Sequence, residues 1–198
     1  MIQQTALAPF RTQLASSSRR FALVIGATAF VALCAHISIP LGFTPVPITL
    51  QPFAVLLLGL LLAPQDSFSA LTVYLLEGAA GLPVFSPHGV GGLAQLLGPT
   101  GGYLLAAPFA AVAAGLLYRA AKQQAWAAFA GAAVGDLILL TTGALWLEVL
   151  THTNLSTLLN VSVVPFLASD AAKVLAAAAC ALIFRSFATR TSSHAQQR

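Results

Sequence analysis

Charge is what this sequence has least of. Five Asp and Glu and nine Lys and Arg make up only 7% of 198 residues, where soluble domains run near 25%. That excludes water as the main solvent. Cysteine is nearly absent too. Cys34 and Cys180 both lie in apolar segments, and there is no CxxC pair or Cys/His cluster, which excludes a metal or disulfide framework. Both are expected as small buried residues. His36 and His152 read as interfacial and His88 sits in a loop, none at metal-ligand spacing. No GxSxG, HExxH or phosphate-binding GxxxxGK[ST] occurs, and no nucleophile has an adjacent base. The chain therefore reads as a non-enzyme, and without an ATP site it does not power uptake by its own hydrolysis.

What it does have is apolar residues, 58% of the total. They fall into six runs, about 21–37, 49–63, 67–82, 99–118, 126–147 and 164–187. Each is continuously apolar, where barrel strands would alternate. Backbone groups in lipid must be bonded internally, so each run is expected to be a helix. Several are shorter than the roughly 20 residues of a full crossing and need loops folded into the bundle. The fold class expected is an all-α integral membrane protein of six transmembrane helices with structured outer loops. It forms one membrane domain over 1–198: an N-terminal segment 1–20, a bundle 21–187 and a polar tail 188–198.

The punctuation agrees. Pro40, Pro45 and Pro47 follow span 1. Thr49 is placed to cap span 2, with Pro52 in the tolerated first turn. Pro64 is read as ending span 2 and Asp66 as capping span 3. Gly81 and Pro83 stop span 3, and Pro165 opens span 6.

Eight of the nine basic residues then fall on one side. Arg11, Arg19 and Arg20 precede span 1, Arg119 and Lys122 join spans 4 and 5, and Arg185, Arg190 and Arg198 end the chain. The opposite loops, 38–48, 83–98 and 148–163, contain no Lys or Arg. By the positive-inside rule both termini are cytoplasmic. The net charge of +4 is thus explained by membrane orientation, and no nucleic-acid partner is expected. Trp126 and Trp146 bracket span 5 as an aromatic belt would. Loop 83–98, PVFSPHGVGGLAQLLG, is Gly-rich and apolar and is expected to fold down over the bundle. No internal repeat of useful strength is found, which weighs against inverted-repeat transporters.

Four ionisable residues lie within spans: Glu77, Asp136, Asp170 and Lys173. Each is a functional hypothesis, because burial there is costly. Counting helical rise puts them roughly 8 to 16 Å below the outer ends of their spans, so all four can meet in one outer half. Asp170 and Lys173 are spaced i,i+3 and share a helix face. That pair reads either as an internal ion pair bridging helices or as an acceptor and cation offered to a ligand. Asp136 is expected to be structural, pairing with Lys173 or a neighbouring Thr.

Four blocks in order carry a resemblance: Pro45 to Gln51 (PVPITLQ), Tyr74 to Phe85 (YLLEGAAGLPVF), Gly98 to Leu104 (GPTGGYL) and Asp170 with Lys173. Together they resemble the BioY family, biotin-binding S components of energy-coupling-factor (ECF) transporters. The resemblance covers nearly the whole chain; Pro52 after Gln51 and the stretch Ser86 to Gly92 depart from the pattern. It implies high-affinity biotin binding and uptake across a bacterial cytoplasmic membrane, with biotin the transported ligand and no cofactor. A related subunit for another vitamin is the alternative. It further implies a transmembrane coupling subunit and two ATPase subunits as partners. Thr49, Gln51, Tyr74, Glu77, Thr100, Gly101, Tyr103, Asp170 and Lys173 would then contact ligand, with Asp170 toward the ureido N–H groups and Lys173 toward a biotin acceptor. Small residues on span 1, here Ala22, Gly26 and Ala29, would face the coupling subunit.

Overall fold

The structure is a computed structural model that describes the backbone of residues 8–196 and the side chains of residues 18–187. Arg11, Arg190 and Arg198 of the charge argument lie outside the described side chains, and residues 1–7 of the N-terminal segment outside the described backbone. The chain is mostly helical: α1 (Ala8–His36), a strand pair β1 (Ser38–Ile39) and β2 (Ile48–Thr49), α2 (Gln51–Leu61), α3 (Pro64–Ala79), α4 (Gly92–Leu97), α5 (Gly101–Ala120), α6 (Ala125–Thr151), α7 (Leu155–Ser162) and α8 (Leu167–Gln196).

Four of these are long and apolar enough to cross a membrane: Ser18–His36 within α1, α5, α6, and Leu167–Phe187 within α8. The six apolar runs correspond to α1, α2, α3, α5, α6 and α8, but α2 has 11 residues and α3 has 16. At 1.5 Å per residue α2 is roughly 16 Å long, about half the hydrocarbon thickness. It is buried around most of its circumference, from Ala54 to Leu60, so its neighbours shield it from lipid.

Boundaries differ from expectation for local reasons. Pro64 does not close α2; it opens α3 in the first turn, where its missing N–H costs nothing. Asp66 therefore lies inside the first turn and does not cap it; its carboxylate pairs instead with Arg20 of α1 at 3.5 Å. Thr49 does not cap α2 in the usual way: Leu50 holds the cap position, and the Thr49 hydroxyl accepts from the Gln51 N–H at 3.3 Å. Helix α1 runs beyond its apolar segment on the N-terminal side and α8 on the C-terminal side, since polar residues continue a helix readily once outside lipid.

Interior packing rests on small residues. Ala106, Ala107, Ala110, Ala111 and Ala114 of α5 are all buried. A Cβ on Gly59 of α2 would fall on the Ala111 carbonyl, and one on Gly115 of α5 would fall on the Gly59 carbonyl. The two backbones therefore meet directly, which is how helices gain contact where no hydrophobic effect drives them together. Large apolar side chains such as Phe21, Leu33, Phe109, Leu137, Leu175 and Phe184 are exposed on the outside, as a lipid-facing surface requires.

Arg119 fastens the end of the short helix. Its guanidinium donates to the carbonyls of Gly115 (2.8 Å), Gly59 (3.4 Å) and Leu62. These include carbonyls at the C-terminal end of α2 that have no partner further along the helix.

The three loops at the other end are ordered into a cap. Residues 38–48 close as an antiparallel pair, Ser38 opposite Thr49 and Ile39 opposite Ile48. Thr44 donates to the Val161 carbonyl at 2.7 Å, tying that loop to α7. Asn154 caps α7 by accepting from the Thr157 N–H at 2.9 Å. Loop 83–98 does fold back on the bundle: Phe85, Ser86, Gln95 and Leu96 are buried, and α4 lies within it.

Candidate ligand site

A cavity opens under this cap, where α2, α5 and α8 begin and α6 passes. Its polar wall comes from Thr49 and Gln51 at the start of α2, Ser86 and Gln95 of the folded loop, Thr100 and Tyr103 at the start of α5, Asp136 of α6, and Asp170 with Lys173 of α8. The rest is apolar, including Val46, Pro47, Val55, Leu104, Leu139 and Phe166. An apolar cavity with a few convergent polar groups is the usual form of a small-molecule site.

The charged centre is on α8. Lys173 Nζ donates to Asp170 Oδ1 at 2.7 Å, with both side chains buried. Ser169 donates to the same oxygen at 3.3 Å. The i,i+3 spacing that placed them on one face also lets them meet. An ammonium has three donors, and the hydrogen bond described for Lys173 engages one. Tyr103 also lines the cavity; its hydroxyl donates to the Ser162 carbonyl at 2.8 Å and its ring tilts against Phe166 at 6.3 Å.

Six expected ligand residues thus line one cavity: Thr49, Gln51, Thr100, Tyr103, Asp170 and Lys173. Three do not. Tyr74 is fully buried on α3, stacks edge-to-face on Phe85 and donates its hydroxyl to the Val84 carbonyl at 3.1 Å. It anchors the returning loop, and Gly78 leaves room for the Phe85 ring. Glu77, one turn further along α3, accepts from Thr28 of α1 at 3.3 Å. Gly101 contributes space: a Cβ there would fall on the Leu96 carbonyl. Its neighbour Gly102 admits Trp146, whose indole N–H donates to the Gly98 carbonyl at 2.9 Å. Trp146 is therefore a fastening of the GPTGGYL turn and not only a belt residue. Of the four intramembrane ionisable groups, Asp136, Asp170 and Lys173 converge and Glu77 does not.

Ser86 and Gln95 were not singled out in the sequence. Gln95 accepts from the Gly91 N–H at 3.1 Å and donates to the Ser86 carbonyl at 3.3 Å, so it braces its own loop while lining the cavity. The signal was its position: an isolated amide in an apolar, glycine-rich loop. An outer recess adjoins, lined by His88, Pro45 and Gly98 and sharing Pro47, Gln95 and Thr100 with the cavity. Among the described residues no group of three His, Cys, Asp or Glu is placed to hold a metal ion.

The residues that line this cavity all lie within a match to one family. Residues 6–190 match the model of the BioY family. The chain belongs to the BioY family. Within it, the chain is similar to the biotin transporter BioY of Thermotoga maritima, 40% identical over 155 residues that cover 78% of this chain and 89% of that protein. It is also similar to a protein of Pyrococcus horikoshii described as a "Probable biotin transporter BioY", 36% identical over 160 residues, 81% of this chain and 92% of that one. Its fold is like that in the crystal structure of the S-component for biotin from an ECF-type ABC transporter, with a TM-score of 0.79, 28% identity, and coverage of 87% of this chain and 93% of that one.

Proposed function

We propose that this chain is the biotin-recognising subunit of an ECF-type uptake system in a bacterial cytoplasmic membrane. The observation that carries the reading is the buried Asp170–Lys173 pair in an apolar cavity, within a chain of the BioY family. Biotin has a cyclic urea with two N–H donors and one carbonyl acceptor, beside an apolar thioether ring and chain. A carboxylate suits the N–H groups, and the spare donors of Lys173 suit a biotin acceptor. Thr49, Gln51 and Thr100 supply further polar contacts, and Leu104, Leu139 and Phe166 the apolar ones. The valeryl chain then points toward the recess that shares Thr100 and Gln95 with the cavity.

In this reading α1, α2, α3, α5, α6 and α8 form six passes, the short α2 and α3 assisted by the loops around them. Both termini are cytoplasmic, and the cap and cavity face outward. Energy comes from partner ATPase subunits acting through a transmembrane coupling subunit, while this chain contributes recognition. Ala22, Gly26 and Ala29 suit the contact with that subunit: all three are exposed on α1, and a Cβ on Gly26 would meet nothing within 4 Å. Such an open stripe of small residues permits close approach by another helix.

Equilibrium binding of labelled biotin to the purified protein in detergent tests the reading. Tight, saturable binding that thiamine and riboflavin do not displace is expected. Binding of biotin no better than those two vitamins overturns it.

A further inference from the structure

Asp136 stands apart from the ion pair. Its side chain is only 8% exposed, yet it lines the cavity, and among the described residues nothing hydrogen-bonds its buried Oδ1. The structural role expected of it is not what the geometry provides. Lys173 is bonded to Asp170, and the nearby Thr141 hydroxyl is spent on the Leu137 and Ile138 carbonyls of its own helix. A buried acceptor without a donor is costly, and more so when it belongs to a carboxyl group. The carboxyl group that carries this unmatched acceptor lines a space shaped for a small molecule.

The chemistry of a cyclic urea supplies what is missing. Its two N–H groups diverge on either side of the carbonyl, so acceptors on two different walls suit them better than two acceptors on one. Asp170 lies on α8 and Asp136 on α6, two walls of the same cavity. The pair on α8 alone offers one carboxylate, already shared with Lys173 and Ser169. We propose that Asp136 is a further ligand-binding residue, accepting one ureido N–H of biotin while Asp170 accepts the other. The proposal rests on the biotin reading above and extends it to a residue on a second helix.

Two consequences separate this role from a structural one. Replacing Asp136 by Leu removes the acceptor and should weaken biotin binding by about tenfold to a hundredfold, the effect of one unmet polar group on a buried ligand. It should not impair folding, because it also removes an unmatched buried carboxyl. Asp136→Asn retains a carbonyl acceptor and should restore most of the affinity. The loss must also depend on the ligand's own N–H. Two analogues carry a methyl on one or the other ureido nitrogen. For one of them the wild-type protein should already lack the contact, and Asp136→Leu should cost no further affinity.

The experiment is titration of the purified protein, Asp136→Leu and Asp136→Asn with biotin and both N-methyl isomers, each variant first checked for a monodisperse species. If the Leu variant does not fold, Asp136→Ala takes its place. A loss for biotin that vanishes with one methyl isomer supports the assignment. Wild-type affinity in the Leu variant overturns it, and so does an equal loss for all three ligands. If the wild-type protein binds no biotin at all, the functional reading fails first and this assignment fails with it.

Discussion

Lys173 and Asp170 lie three residues apart on α8 with 2.7 Å between ammonium and carboxylate, both buried in the wall of a cavity. An ion pair in that position has two possible uses, and the double substitution tells them apart. If each residue only neutralises the other, Asp170→Leu with Lys173→Met gives a folded protein with near-native biotin affinity, since an apolar pair replaces a buried ion pair at little cost. If each holds part of the ligand, the double variant folds but leaves about 1–3 kcal/mol of unmet interaction at each biotin group. The expected outcome is the second, a folded species weakened by roughly two to four powers of ten. Titration of the double variant with biotin checks it.

The stripe on α1 gives a different kind of prediction. Gly26→Leu or Ala22→Leu should abolish most uptake in cells that carry the partner subunits, while biotin affinity in detergent stays within about twofold of wild type, because bulk there blocks only the approach of another helix. Uptake and binding measured on the same variants decide it. An equal loss in both means that the stripe packs against this chain itself.

Orientation is testable at the turn between α5 and α6. With Cys34 and Cys180 replaced by Ala, a cysteine at Gln124 should resist a membrane-impermeant maleimide applied to intact cells and react once the cells are opened. Strong labelling from outside would place the cavity on the cytoplasmic face and reverse the proposed direction of uptake.

Tyr74 is predicted to act on the cap and not on the ligand. Tyr74→Phe keeps the ring stacked on Phe85 but removes the donor to the Val84 carbonyl. Thermal unfolding in detergent should show a loss of about 1–3 kcal/mol for the unmatched buried carbonyl. Biotin affinity should fall far less than in the Asp170 and Lys173 double variant.

The parts of the fold that were legible in the sequence are those that a bilayer specifies by itself. Long apolar runs with basic ends became α1, α5, α6 and α8. Asp170 and Lys173 were legible as a pair, because helical periodicity fixes i,i+3 neighbours locally. The turn from α2 to α3 was harder to read. A proline ends one helix as readily as it starts the next, and only packing decided that Pro64 belongs to α3. Tyr74 and Glu77 were misplaced for a related reason. They are also i,i+3 and share a face of α3, but nothing local says that this face meets the returning loop and α1 and not the cavity. Gln95 and Asp136 needed the fold of a loop and of a neighbouring helix before their direction meant anything.

Arg119 shows how a residue read as an address also serves as a fastening. Counted in the sequence, its charge helps decide which side of the membrane its loop stays on. In the structure its guanidinium reaches three carbonyls, including those where α2 stops short of the length its neighbours have. A lysine at this position would keep the address, since the charge is the same, but its single ammonium lacks the planar fork that bridges several oxygens at once. The two roles therefore separate by substitution: Arg119→Lys leaves orientation intact and loosens the C-terminal end of α2, the helix whose other end supplies Gln51 to the cavity.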